Sequence, residues 1–71
     1  MNKTEYILHE LPVPLTSIYY YIKDHPGINI EGMKEGTGYS KIAIKRFIRT
    51  LMLAGLISMD QANKVYFTRI K

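Results

Sequence analysis

Four cations stand close together in the middle of this chain: Lys41, Lys45, Arg46 and Arg49, with no acidic residue between Thr37 and Met59. Ile44, Phe47, Ile48 and Leu51 recur among them at three- and four-residue spacing, the period of one apolar face on a helix. The cations fall largely off that stripe. Such a helix is apolar toward a core and positive toward solvent, which suits it to neutralising the phosphates of a polyanion. The other residue types that could do chemistry are sparse. His9 and His25 are the only histidines, and His25 sits at a helix stop, where a helix dipole and the last carbonyls account for it. Glu31 and Glu35 are four apart with no histidine or second acidic pair to join them, which reads as a solvated face rather than a metal site. Gly32, Gly36 and Gly38 neither follow a strong strand nor precede a Lys-Ser/Thr pair, so no phosphate loop is present. The expectation is a binding protein, not an enzyme, with no cofactor, metal or small-molecule ligand.

The elements that must position the cations follow from local chemistry. Thr37-Gly38-Tyr39-Ser40 combines a glycine that tolerates positive φ with a serine able to cap a helix, so one helix stops and a basic one starts there, running to about Ala54 with Gly55 as its end. Upstream, Leu15, Ile18, Tyr19 and Ile22 form the inward stripe of a first helix capped by Thr16 or Ser17 and stopped by Asp24-His25-Pro26-Gly27. Ile28-Asn29-Ile30 reads as one small strand or an extended link, and residues 31–36 as a short second helix with Met33 inward. Gly32 and Gly36 each weaken that helix by about 1 kcal/mol relative to alanine, so packing must hold it. After Gly55 the period shortens: residues 56–60 and 64–70 flank Gln61-Ala62-Asn63 as a hairpin, with Tyr66 and Ile70 assigned inward. Residues 1–14 are an arm or a short helix ended by Pro12 and Pro14; residues 15–71 are the domain.

Size and composition narrow the class. At 71 residues the chain holds one small domain that buries only about 60% of its unfolded surface, and with no cysteine it has neither a disulfide nor a thiolate metal site to brace it. Tight helix packing or oligomerisation remains, so a homodimer is one expected route to stability. Tyr20 and Tyr21 either pad the rim of the core or form the dimer seam. No apolar run approaches the roughly 20 residues of a membrane span, and charged residues occupy the place of a signal peptide's apolar core, so a cytoplasmic protein without a membrane partner is expected. The net charge of +4 is unevenly spread. Residues 1–36 carry three lysines against five acids, and residues 37–71 carry seven cations against Asp60 alone. That asymmetry favours an anionic partner, with nucleic acid the first candidate.

Helix, short strand, helix, turn, basic helix, hairpin is the order of a winged helix-turn-helix domain, an α+β fold of three core helices and a two-stranded wing. The residues resemble the small prokaryotic and viral transcription regulators of that family. Their pattern of hydrophobic-Ala-x-x-x-Gly-hydrophobic-Ser, then aliphatic positions, then Gly-Leu-Ile is met here by Met33, Gly38, Tyr39, Ser40, Ile44, Ile48, Leu51 and Gly55-Leu56-Ile57. Two positions depart from it. Lys34 stands where relatives have alanine at the crossing of two helices, so either its stem lies in the contact or the crossing is wider. Met52-Leu53 stands where relatives have charged residues, which marks a partner or dimer surface or a looser core.

The resemblance implies that residues 40–54 are a recognition helix entering the major groove of double-stranded DNA. Lys41, Ile42 and Lys45 would then meet base edges, Ile42 touching a thymine methyl, while Arg46 and Arg49 reach phosphates or a guanine. Tyr39, Ser40 and the amides at the helix start suit a phosphate, and Lys64 would be the wing's contact. The implied function is a repressor-like regulator acting by site occupancy. Winged helices also serve as protein docking modules in replication, packaging or transcription assemblies, which is the alternative.

Overall fold

The computed structural model describes residues 12–69. It contains three helices, α1 (Val13–Asp24), α2 (Ile30–Thr37) and α3 (Lys41–Leu53), followed by an antiparallel hairpin of β1 (Ile57–Asp60) and β2 (Val65–Thr68). This is a small α+β fold. The arm expected at residues 1–11, and Ile70 with its inward assignment, lie outside the described residues.

The first helix starts earlier than the sequence suggests. Pro12 occupies the cap with an extended backbone, Pro14 lies in the first turn, and no side chain caps the helix; the Thr16 hydroxyl instead donates to the Val13 carbonyl at 2.9 Å. Proline lacks only an amide that a first turn leaves unbonded anyway, so the two prolines begin this helix where the sequence reading had them end the preceding segment. At the other end the His25 amide donates to the Tyr21 and Ile22 carbonyls, and Gly27 with φ 83° turns the chain.

Ile28 then pairs with Tyr66: the Gly27 amide donates to the Tyr66 carbonyl and the Tyr66 amide to the Ile28 carbonyl, both at 2.9 Å. The short extended stretch thereby ties the link between α1 and α2 to the hairpin. Ile30 does not extend it but opens α2, because Asn29 caps that helix through Oδ1, which accepts from the Gly32 amide at 2.8 Å.

Glycines in α2 have a packing cause. A Cβ on Gly36 would overlap the phenol of Tyr21 on α1, and one on Gly32 would come within 2.6 Å of the Ile28 side chain. The close approach that a small residue permits therefore falls at these glycines. Lys34 is exposed, and Met33 beside it is fully buried.

Gly38, in the left-handed region at φ 80°, ends α2 and its amide donates to the Lys34 carbonyl. Ser40 caps α3, its Oγ accepting from the Ala43 amide at 3.2 Å. The helix closes with the Gly55 amide on the Met52 carbonyl and the Leu56 amide on the Leu51 carbonyl, the two bonds of a Schellman end. Leu56, delivered inward by that turn, joins Leu15, Ile18, Tyr19 and Ile22 of α1, Met33 of α2, Ile44, Ile48 and Leu51 of α3, and Ile57 and Tyr66 of the hairpin in one core. Each helix contributes the stripe its periodicity assigns to it, and Phe47 packs half-buried against this core.

Candidate nucleic-acid interface

At about 100° per residue, the core stripe of α3 leaves Lys41, Lys45, Arg49, Ile42 and Arg46 within an outward arc of about 140°. All five are exposed, Ile42 by 70%. One helix therefore gathers the four clustered cations on one continuous surface with an aliphatic side chain among them. Lys41 lies 3.5 Å from Glu31, in the first turn of α2, with both side chains more than half exposed. A pair this wet is worth about 0–1 kcal/mol and opens readily to a competing anion. Sequence reasoning missed it, because nothing in the spacing of residues ten apart announces that a turn brings them together. Among the described residues no other salt bridge forms, so none of them pairs with Lys45, Arg46 or Arg49.

The start of α3 adds partial positive charge. Its first amides point out of the helix, and Ser40 accepts only that of Ala43, leaving the serine hydroxyl proton available to donate. The Tyr39 ring is half-buried and meets Phe47 edge-on at 5.5 Å, which holds the turn against α3. Of the two tyrosines considered for a dimer seam, Tyr20 is exposed, whereas Tyr21 is half-buried over Gly36 and stacks on His25 at 4.2 Å.

The hairpin lies against the same side of α3. Met59 and Tyr66 from β1 and β2 share a groove with Lys45 and Arg49. Burial pushes the Tyr66 phenol above its ordinary pKa of 10.0. At the hairpin tip, Lys64 is exposed and adopts φ 56°, a left-handed conformation in a residue with a Cβ. Its amide donates to the Asp60 carbonyl at 2.7 Å. Asp60 organises the turn, its carboxylate accepting from the Asn63 side chain and the Ala62 amide, both at 3.0 Å. Those bonds, the Asn63 side chain first, outweigh desolvation and hold its carboxyl below the ordinary value of 3.8.

The chain matches no protein-family model, no curated protein and no solved structure. The reading of the site therefore rests on its own geometry. Among the described residues no three His, Cys, Asp or Glu side chains gather as metal ligands would, and no helix is long and apolar enough to cross a membrane.

The groove beside the cations is a feature that the sequence reading did not contain. Its floor is Ile48, Tyr66, Ile30 and Met59, buried or half-buried, and its exposed walls are Lys45, Arg49, Met52 and Leu53. The volume is about 510 Å³. A signal for it was available in part: Lys45, Ile48, Arg49 and Met52 have the spacing of one helix face. What the hairpin supplies opposite that face was not legible.

Proposed function

We propose that this protein is a winged helix-turn-helix domain that binds double-stranded DNA and acts as a repressor-like regulator by occupying its site. The observation that carries the reading is the cationic arc of α3, four exposed cations of which only Lys41 has an acidic neighbour among the described residues. The order of elements supports it, with Ile28 paired to the hairpin as the short strand of such a domain would be. In this reading α3 enters the major groove, which at about 12 Å admits a helix. Lys41, Ile42 and Lys45 face base edges; Arg46 and Arg49 reach phosphates or a guanine. Ser40 and the amides that begin α3 hold a phosphate, and Lys64 touches the flanking backbone. Two copies on a pseudo-palindrome, half-sites about 34–36 Å apart, would double the sequence read.

Fluorescence anisotropy on duplex DNA at several salt concentrations tests this. With about five phosphate contacts per protomer, log K falls with log salt by about 0.9 per contact. Replacing Lys45 and Arg46 by alanine weakens binding, and lowers the slope by about 0.9 where Arg46 meets a phosphate, while leaving the melting temperature in place. Absent or salt-independent binding sinks the DNA reading, and an unchanged affinity in the double variant discards the assigned face.

A further inference from the structure

The groove between the start of α2, α3 and the hairpin joins a cationic edge to an apolar one that duplex DNA does not use. Phosphates gain nothing from Met52, Leu53 and Met59, yet Met52 is 40% and Leu53 81% exposed at the end of a helix whose other apolar residues are buried or half-buried apart from Ile42. We propose that this groove receives an acidic amphipathic helix from a partner protein, and that the partner and duplex DNA exclude one another at Lys45 and Arg49.

Charge and spacing select that occupant. Among the described residues the two charged side chains that line the groove are both cations and no acid lines it, so the complementary groups are carboxylates. Along α3 the lining runs Lys45, Ile48, Arg49, Met52, Leu53, cationic at one end and apolar at the other. At 1.5 Å per residue this stretch is about 12 Å long, or about two helical turns. A docked helix therefore places acids opposite Lys45 and Arg49 and apolar side chains one turn away, opposite Met52 and Leu53, over a floor of Ile30, Met59 and Tyr66. Met52 in the wall and Met59 in the floor, unbranched and polarizable, let the groove adapt to the side chains that enter.

A second copy of this chain fits worse. A two-fold dimer contact sets the same patch against itself. That would crowd two copies each of Lys45 and Arg49 around the apolar contact, where an acidic helix would neutralise them. The exclusion of DNA rests on the proposed function, because it needs Lys45 and Arg49 to be used by the duplex; the docking itself does not.

Selection from a displayed library of helical peptides against the full chain tests the occupant. The expected result is enrichment of peptides with Asp or Glu one turn from a pair of apolar residues. A synthetic copy of an enriched peptide should bind about tenfold or more weakly to a Met52→Gln, Leu53→Gln variant, both glutamines being good helix formers at exposed positions. Circular dichroism and the melting temperature of that variant report that it is folded. No enrichment of acidic amphipathic sequences, or equal binding to the folded variant, overturns the proposal. So does a wild-type dimer in sedimentation that the variant dissociates, since the groove would then hold a second copy. Adding the peptide to a protein–duplex complex should release the duplex, and a ternary complex refutes the exclusion. A protein that takes the peptide but binds no duplex refutes the DNA reading and the exclusion with it, and upholds the groove's occupant.

Discussion

Replacing Lys64 with glycine should stabilise the fold while weakening DNA binding, and the two effects come from different atoms of one residue. Lys64 has φ 56°. An L-residue held in the left-handed region costs about 1–2 kcal/mol because its Cβ crowds the following carbonyl. Glycine removes that crowding but gives the unfolded chain more freedom, which offsets about 0.5–1 kcal/mol. Native contacts are unaffected: the hydrogen bond to the Asp60 carbonyl is donated by the Lys64 backbone amide, and among the described residues the lysine side chain has no hydrogen-bond or ion-pair partner. The net gain is about 0.5–1 kcal/mol, which for a domain of this size raises the melting temperature by roughly 2–8 °C. Urea denaturation should show a higher midpoint with the same slope. Lys64→Asn should gain less, since asparagine keeps a Cβ but visits this region more readily. Duplex affinity of either variant should fall, with the salt slope reduced by about 0.9, if the ammonium meets a phosphate. A variant no more stable than wild type refutes the strain argument. Unchanged affinity removes Lys64 from the interface without touching α3.

Gly36→Ala should destabilise by about 1–3 kcal/mol by overpacking against Tyr21, although an alanine in an open helix position would stabilise by about 1 kcal/mol; in a Tyr21→Ala background the sign should reverse, as chemical denaturation of the four proteins would show. Asn29→Ala removes the side-chain acceptor of the Gly32 amide and should cost about 1 kcal/mol in the same assay, an unchanged midpoint meaning that the cap is idle. Asp60 has a lowered pKa in the fold, so its ionised form stabilises the hairpin above pH 3.8 and that contribution disappears as acid protonates it. The melting temperature of wild type should therefore exceed that of Asp60→Asn at neutral pH, with the gap closing on acidification, and a gap independent of pH rules this out.

What the sequence carries most clearly is whatever depends on period and on turn chemistry. Ile44, Ile48 and Leu51 go to the core because a helix brings every third or fourth residue to one face, and Gly38 and Ser40 mark the turn because one tolerates positive φ and the other accepts an orphan amide. The features that stayed hidden depend on neighbours distant in the chain. Gly32 and Gly36 look like weaknesses of α2 until Ile28 and Tyr21 are seen filling the space a Cβ would take. The ion pair of Glu31 with Lys41 depends on how α2 crosses onto α3. Pro12 and Pro14 are ambiguous for a local reason, since proline is compatible with the outside of a helix end and with the first turn of a helix alike. At the hairpin tip Asn63 is the residue type suited to positive φ, yet the Asp60 carboxylate holds its side chain and the left-handed residue that closes the turn is Lys64.

The same dependence on neighbours underlies the proposal that α3 meets two partners on thirteen residues. A helix viewed down its axis has a core sector, an outward sector and two borders. Arg46 and Ile42 are exposed and point away from the core. Lys45 and Arg49 sit at the border facing β1 and β2, and the sequence alone assigns them to the outward face with the others. Met59 and Tyr66 change that assignment by laying an apolar floor beside them. A cation in open water favours any polyanion, whereas a cation beside a partly dry floor also favours an anion that brings apolar surface with it. Charge reversal at Arg46 should therefore impair the duplex alone, and charge reversal at Lys45 should impair both duplex and acidic peptide. Equal effects of the two reversals on the peptide would show that the border between the sectors has no functional meaning.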